Sequence, residues 1–131
     1  MLGKWDYDAR GADPSAPPFE IPMQGLGVFA CRKEAWPGFN PRLRGFGGEE
    51  GYIHEKFRQR GGRVFCLPFL RWLHRFDRPL APPNWVSWDD RIRNYLIAHD
   101  ELGHDPSAAI AHFEELARGG KHPPDGRGGA T

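Results

Sequence analysis

Cysteine is scarce in this chain: Cys31 and Cys66 are the only two in 131 residues, and each sits alone in an apolar run, VFAC and VFCLPF. Without a Cys-x-x-Cys pair there is no zinc-ribbon pattern. The isolated thiols look like buried free cysteines, with a disulfide between them left open. Long apolar runs are missing too. No stretch approaches the roughly 18–20 residues that a membrane-spanning helix needs, so no transmembrane segment is expected. The opening MLGKWDYDARG lacks the apolar core of a secretion signal, which predicts a cytoplasmic protein. Nor is one sign of charge in excess. Eighteen Lys and Arg stand against 17 Asp and Glu, a formal net charge of +1, which argues against a general polyanion binder and against nucleic acid as the partner.

What is present describes a folded domain. The chain is 39% hydrophobic and 13% aromatic, and its length suits one ordinary domain. Glycine and proline together supply 30 residues, 17 and 13, so turns and loops should be plentiful. Charge is unevenly spread. Seven basic residues (Lys56, Arg58, Arg60, Arg63, Arg71, Arg75 and Arg78) lie between His54 and Arg78 against Glu55 and Asp77. From Asp89 to Arg118 the balance reverses, with seven acids against three arginines. The basic segment fits either a solvated face or a phosphate-bearing ligand.

The punctuation predicts an order of elements. Residues 1–24, rich in Pro, Asp and Ala, read as an extended lead-in. GLGVFACRK, Gly25–Lys33, reads as a buried strand. Glu49 to Gln59 reads as a helix with Tyr52, Ile53 and Phe57 on its apolar face and Gly61-Gly62 ending it. RVFCLPFLRWLHRF, Arg63–Phe76, reads as one or two strands broken at Pro68. Beyond the RPLAPPNW linker, Ile92, Tyr95, Leu96, His99 and Leu102 form one helical face, with Ser87 and Asp90 at capping-box spacing. A last helix should start at Asp105-Pro106 and bury Ile110, Phe113 and Leu116. The tail after Arg118, residues 119–131, should be disordered.

One stretch concentrates chemistry. GFGGEEGYIHEKF, Gly45 to Phe57, places two adjacent carboxylates after Gly-Gly at a helix start. A carboxylate there is stabilised by free N–H groups and the positive end of the helix dipole, while its like-charged neighbour opposes it. Glu49 and Glu50 are thus either ordinary first-turn charges or a ligand-binding acid beside a base, with Gly47 and Gly48 letting a ligand approach the backbone. Ionised acids are also strong acceptors for sugar hydroxyls. His54, four residues after Glu50, shares its helix face and could form either a surface pair or a Glu/His metal pair. His74 lies in the aromatic FLRWLHRF run, as a core residue or a ligand. The Asp-Tyr-Asp of Asp6–Asp8 matches a metal–diphosphate pattern only over three letters.

As an ordered set, FEIPMQGLGVFACRKEAW followed by GFNPRLRGFGGEEGYIHEKFRQRGGRVFCLPFLRWLHRF resembles the C-terminal half of the GT-A glycosyltransferases. The similarity is to the family 2-like group that includes the galactosyltransferase C-terminal region and the polypeptide N-acetylgalactosaminyltransferases. It covers about residues 19–78. The fold it implies is α/β: the C-terminal part of a GT-A fold, a mixed sheet with helices over residues 25–78; the helical extension over 79–118, read from its own periodicity and caps, lies outside the resemblance. The implied activity is sugar transfer from a nucleotide-diphosphate sugar, such as a UDP-sugar, to an acceptor hydroxyl, with inversion. Carried over, Glu50 becomes the base, and Glu49, Phe46, Gly47 and Gly48 become substrate-binding residues. His74 becomes a ligand to a divalent cation, Mn²⁺ or Mg²⁺. The resemblance also implies a nucleotide-binding half as a separate chain or a missing N-terminal segment, because Asp6–Asp8 follows no strand-like run. The competing expectations are a non-catalytic carbohydrate or protein interaction module, and a small metal-dependent hydrolase built on Glu50, His54 and His74.

Overall fold

A computed structural model describes residues 8–73 and 87–119. Within them the chain forms a small mixed α/β arrangement of three α-helices and a two-stranded antiparallel sheet. The strands are β1 (Phe19–Glu20) and β2 (Phe65–Cys66), and the helices are α1 (Glu49–Gln59), α2 (Trp88–Leu102) and α3 (Ser107–Arg118). No described helix is long and apolar enough to cross a membrane. The described chain falls into two compact units that interleave in sequence: residues 39–49 with 87–119, and residues 8–38 with 50–73.

In the first unit, α2 begins where the sequence places its cap. The Ser87 hydroxyl accepts the Asp90 backbone N–H at 3.2 Å, and Asp89 and Asp90 bring negative charge to the first turn. The helix stops at Gly103, which takes the left-handed conformation at φ 68°, while the His104 N–H returns to the His99 carbonyl. Asp105 then accepts the backbone N–H of Ser107 at 3.0 Å and its hydroxyl at 2.6 Å, so it caps α3 across Pro106. The core between these two helices is aromatic. Tyr95 and Phe113 meet at 5.2 Å in a T-shaped pair, Trp88 meets Phe113 at 5.9 Å, and Ala109, Ile92 and Leu116 complete the cluster. The buried arc of α2 is not the one its apolar letters trace. Leu96 is exposed, while Asn94, Ile97 and Ala98 are buried. On α3, Ile110 is likewise exposed and Ala109 takes the inside position.

In the second unit, α1 spans the expected Glu49–Gln59 and closes on Gly61, φ 77°. The Gly62 N–H reaches back to the Phe57 carbonyl and the Gly61 N–H to that of Arg58, the paired bonds of a left-handed glycine cap. The turn delivers the chain into β2. Its strand partner comes from the lead-in: Phe19 faces Cys66, Glu20 faces Phe65, and the Ile21 N–H extends the ladder to the Val64 carbonyl. Arg63 brackets this pairing by bonding Glu20 at 2.9 Å and lying over the Phe65 ring. Gly25–Lys33 is not a strand. It runs as turn and irregular chain into a short 3₁₀ turn over Lys33–Ala35, and β2 pairs with Phe19–Glu20 instead. Residues 63–73 hold only the two strand residues of β2, followed by a turn at Pro68-Phe69. Both cysteines are free, and Cys31 is exposed where burial was expected.

The difference between apolar letters and observed burial can be measured. Phe113→Ala should cost about 3–5 kcal/mol of unfolding free energy. Ile110→Ala, at an exposed position of the same helix, should cost well under about 1 kcal/mol. Guanidinium midpoints of the two variants test the assignment.

Candidate functional site

The segment before α1 is fixed in place by one buried side chain. Asn94 of α2 donates its amide to the carbonyls of Arg44, at 2.7 Å, and Gly47, at 3.1 Å, and accepts the Arg44 N–H at 2.9 Å. That pulls the loop down onto α2. Gly47 (φ 116°) and Gly48 (φ 89°) lie in backbone regions that side chains avoid. They are also crowded: a Cβ on Gly47 would stand 2.7 Å from Arg91 Cγ, and one on Gly48 would stand 3.1 Å from the Tyr95 ring. The glycine pair therefore has a packing reason of its own, independent of any ligand. Glu49 Oε2 accepts the Gly47 N–H at 2.6 Å, so one oxygen of this carboxylate braces the turn that leads into the helix. Phe46, immediately before, is 47% exposed. This unit thus brings together four of the residues singled out from sequence: Phe46, Gly47, Gly48 and Glu49.

In the second unit, Glu50 is half-buried, and its carbonyl accepts a hydrogen bond from His54 Nδ1 at 2.6 Å. A carbonyl only accepts, so Nδ1 carries the proton and Nε2 of the neutral ring holds a lone pair. His54 is wholly buried, and among the described residues its Nε2 has no hydrogen-bond partner. Burial pushes the pKa of this imidazole down, the bond to Glu50 partly opposes that, and the Arg58 cation one turn on adds to the lowering. The contact between Glu50 and His54 thus runs through the backbone carbonyl. His54 also stands in the wall of a cavity of about 520 Å³, together with Phe29, Phe57 and Phe65.

Other sequence candidates separate from these. Asp8 of the Asp-Tyr-Asp pattern accepts from the Arg10 side chain and backbone, closing a 3₁₀ turn over Ala9–Gly11, and that guanidinium holds its carboxyl below the ordinary range. Asp6, the 120–131 part of the tail and His74 lie outside the described residues. Among the described residues no three His, Cys, Asp or Glu side chains gather as a metal site. Asn94 carried no signal in the sequence beyond being a polar residue beside the apolar face of α2. The chain matches no protein-family model, no curated protein and no solved structure.

Two outcomes follow from these contacts. Asn94→Ala leaves the Arg44 N–H and two loop carbonyls without their partner and should lower stability by about 2–3 kcal/mol, read by urea denaturation. Since the folded state holds His54 at a lowered pKa, it binds fewer protons there than the unfolded chain does. Stability is then full above the ordinary histidine pKa and falls as pH drops through and below it, with a slope of at most about 1.4 kcal/mol per pH unit from this group. Denaturation between neutral and mildly acid pH should show that loss, and His54→Gln should flatten it.

Proposed function

We propose that this chain supplies the acceptor-side part of a GT-A-like glycosyltransferase, transferring a sugar from a nucleotide-diphosphate sugar to an acceptor hydroxyl. The observation that carries the reading is an ordered series: a glycine loop at positive φ, a helix that opens on Glu49 and Glu50, a left-handed glycine turn, and a strand. That is the order the resemblance requires over residues 45–66. The Gly25–Lys33 segment does not contribute, being irregular. In this reading Glu50 takes the proton of the acceptor hydroxyl as its oxygen attacks the anomeric carbon. The bond from that carbon to the diphosphate oxygen breaks, and the diphosphate leaves with the electron pair. Glu49, with one oxygen engaged by Gly47, presents the other to an acceptor hydroxyl, and the exposed Phe46 offers a ring face to the sugar.

A divalent cation, Mn²⁺ or Mg²⁺, belongs to the resemblance through His74. Among the described residues no ligand set for it assembles, and His74 lies outside them. A nucleotide-binding half would need an apolar surface to dock on. Phe69, Leu70, Trp72 and Leu73 are exposed in succession and offer one.

Incubation with UDP-sugars, Mn²⁺ and a panel of acceptor saccharides, followed by mass spectrometry, tests the reading. Glu50→Gln should reduce transfer by about 10²–10⁴-fold with acceptor affinity unchanged. Saccharide binding without turnover would identify a carbohydrate interaction module, which the bracing role of Glu49 also suits. Absence of both turnover and saccharide binding would falsify the assignment.

A further inference from the structure

The most exposed apolar side chains of the second unit gather just after β2. Phe69, Leu70, Trp72 and Leu73 follow one another with only Arg71 between them. Leu73, at 79%, and Phe69, at 60%, are the most exposed large apolar residues among those described. The run is not a frayed end. Pro68 is buried, the Leu70 N–H returns to the Leu67 carbonyl at 2.9 Å, and the Arg71 guanidinium donates to the Ala12 carbonyl at 2.7 Å. The Trp72 ring lies so close over Gly27 that a Cβ there would find no room. These anchors hold the backbone while the apolar side chains stay in water. Three features decide what covers them. Beyond a turn at Pro68-Phe69 the run is irregular, so its exposed residues keep neither the two-residue alternation of a strand nor the spacing of a helix. A rigid protein face meets one side of an element, whereas four apolar residues in five positions suit a fluid phase that closes around each of them. The residue types, a tryptophan among leucine and phenylalanine, are those of a membrane interface. Charge agrees. Arg71 lies within the run, Arg63 and Arg60 precede it, and all three are exposed. From His54 to Arg78 the sequence holds seven Lys and Arg against Glu55 and Asp77. The acids that face these cations are Glu20, paired with Arg63, and Asp13, which lies near Arg71 and accepts from Ser15.

We propose that the loop from Phe69 to Leu73 seats this chain on the surface of an anionic phospholipid bilayer. Phe69, Leu70, Trp72 and Leu73 enter the boundary between headgroups and acyl chains, and Arg71 with its basic neighbours stays among the anionic headgroups. Insertion is shallow, because an irregular backbone carries peptide groups that the hydrocarbon interior would leave without partners. The proposal goes beyond the transfer reading and concerns the chain by itself, since a docked nucleotide-binding half would occupy the same residues. Its test reads lipid binding alone, so it and the transfer assay fail independently.

Cosedimentation of the full chain with sucrose-loaded vesicles tests the claim. The chain should sediment with phosphatidylcholine vesicles that contain about 30 mol % phosphatidylserine. Partition should weaken about fivefold or more on phosphatidylcholine alone, or when NaCl is raised from about 0.1 to about 0.5 M. Leu70→Ser combined with Leu73→Ser should weaken it about tenfold or more. Leu96→Ser combined with Ile110→Ser, at exposed apolar positions of α2 and α3, should leave it unchanged. All four positions are exposed, so both double variants should keep the wild-type melting transition. Lipids brominated near the headgroup end of the acyl chain should quench the tryptophan fluorescence of the bound chain, and Trp72→Phe should remove most of that quenching. Absence of sedimentation with either vesicle, or an equal loss in the Leu96 and Ile110 variant, would overturn the site. Dimerisation that the Leu70 and Leu73 variant abolishes, without vesicle binding, would assign the loop to a second copy and overturn the membrane. Equal partition on both vesicles at both salt concentrations would overturn the part given to the arginines.

Discussion

The buried carboxamide of Asn94 is the contact on which the first unit depends. A loop containing glycines at positive φ has many conformations to lose, and little apolar surface to offset that loss. Three hydrogen bonds to one side chain overcome it, because they satisfy two carbonyls and one N–H that would otherwise face a helix surface without water. Once Arg44 and Gly47 are held, the chain can approach α2 only where it has no Cβ. Gly47 and Gly48 stand at those points, against Arg91 and Tyr95. The Glu49 carboxylate then closes the turn by taking the Gly47 N–H. The loop is thereby seated by a residue almost fifty positions away.

The second unit uses a histidine differently. His54 turns one ring nitrogen back to its own helix and leaves the other buried in an aromatic surrounding. Such an arrangement disfavours the imidazolium and leaves an acceptor without a donor. A group that was only filling space would be better replaced by phenylalanine, which packs similarly and asks for no partner. Around His54, Lys56 bonds the Gly38 carbonyl and the Tyr52 hydroxyl, and Arg58 pairs with Glu55, so the basic residues of α1 work locally within the unit. Two of the seven basic residues of the 54–78 segment are thus engaged within the unit without a phosphate.

Helices were legible because their signals are local. Ser87, Asp105 and Gly61 act within a few residues of themselves, and a cap works the same way whatever the helix later packs on. The strand at Gly25–Lys33 was misread for the opposite reason. An apolar run becomes a strand only by pairing, and β2 is paired by Phe19–Glu20. Burial was legible only in part. Apolar spacing found Tyr95, Leu102 and Phe113, but it also marked Leu96 and Ile110, which face outward, and passed over Asn94 and Ala109. At the candidate site the letters Gly-Gly-Glu-Glu were conspicuous, yet their crowding against α2 and the bond from Gly47 to Glu49 could not be read from them.

By itself, then, the sequence determined where the helices begin and where α1 ends, because capping and glycine conformations are settled within a turn of chain. It also determined which carboxylates stand at the start of α1. Tertiary structure decided which faces are buried, which segment pairs with β2, that Asn94 seats the glycine loop, and that His54 turns its Nδ1 back to the Glu50 carbonyl. All but the last depend on groups brought together from distant positions, and hydrogen bonding and close packing judge such groups by distance in space.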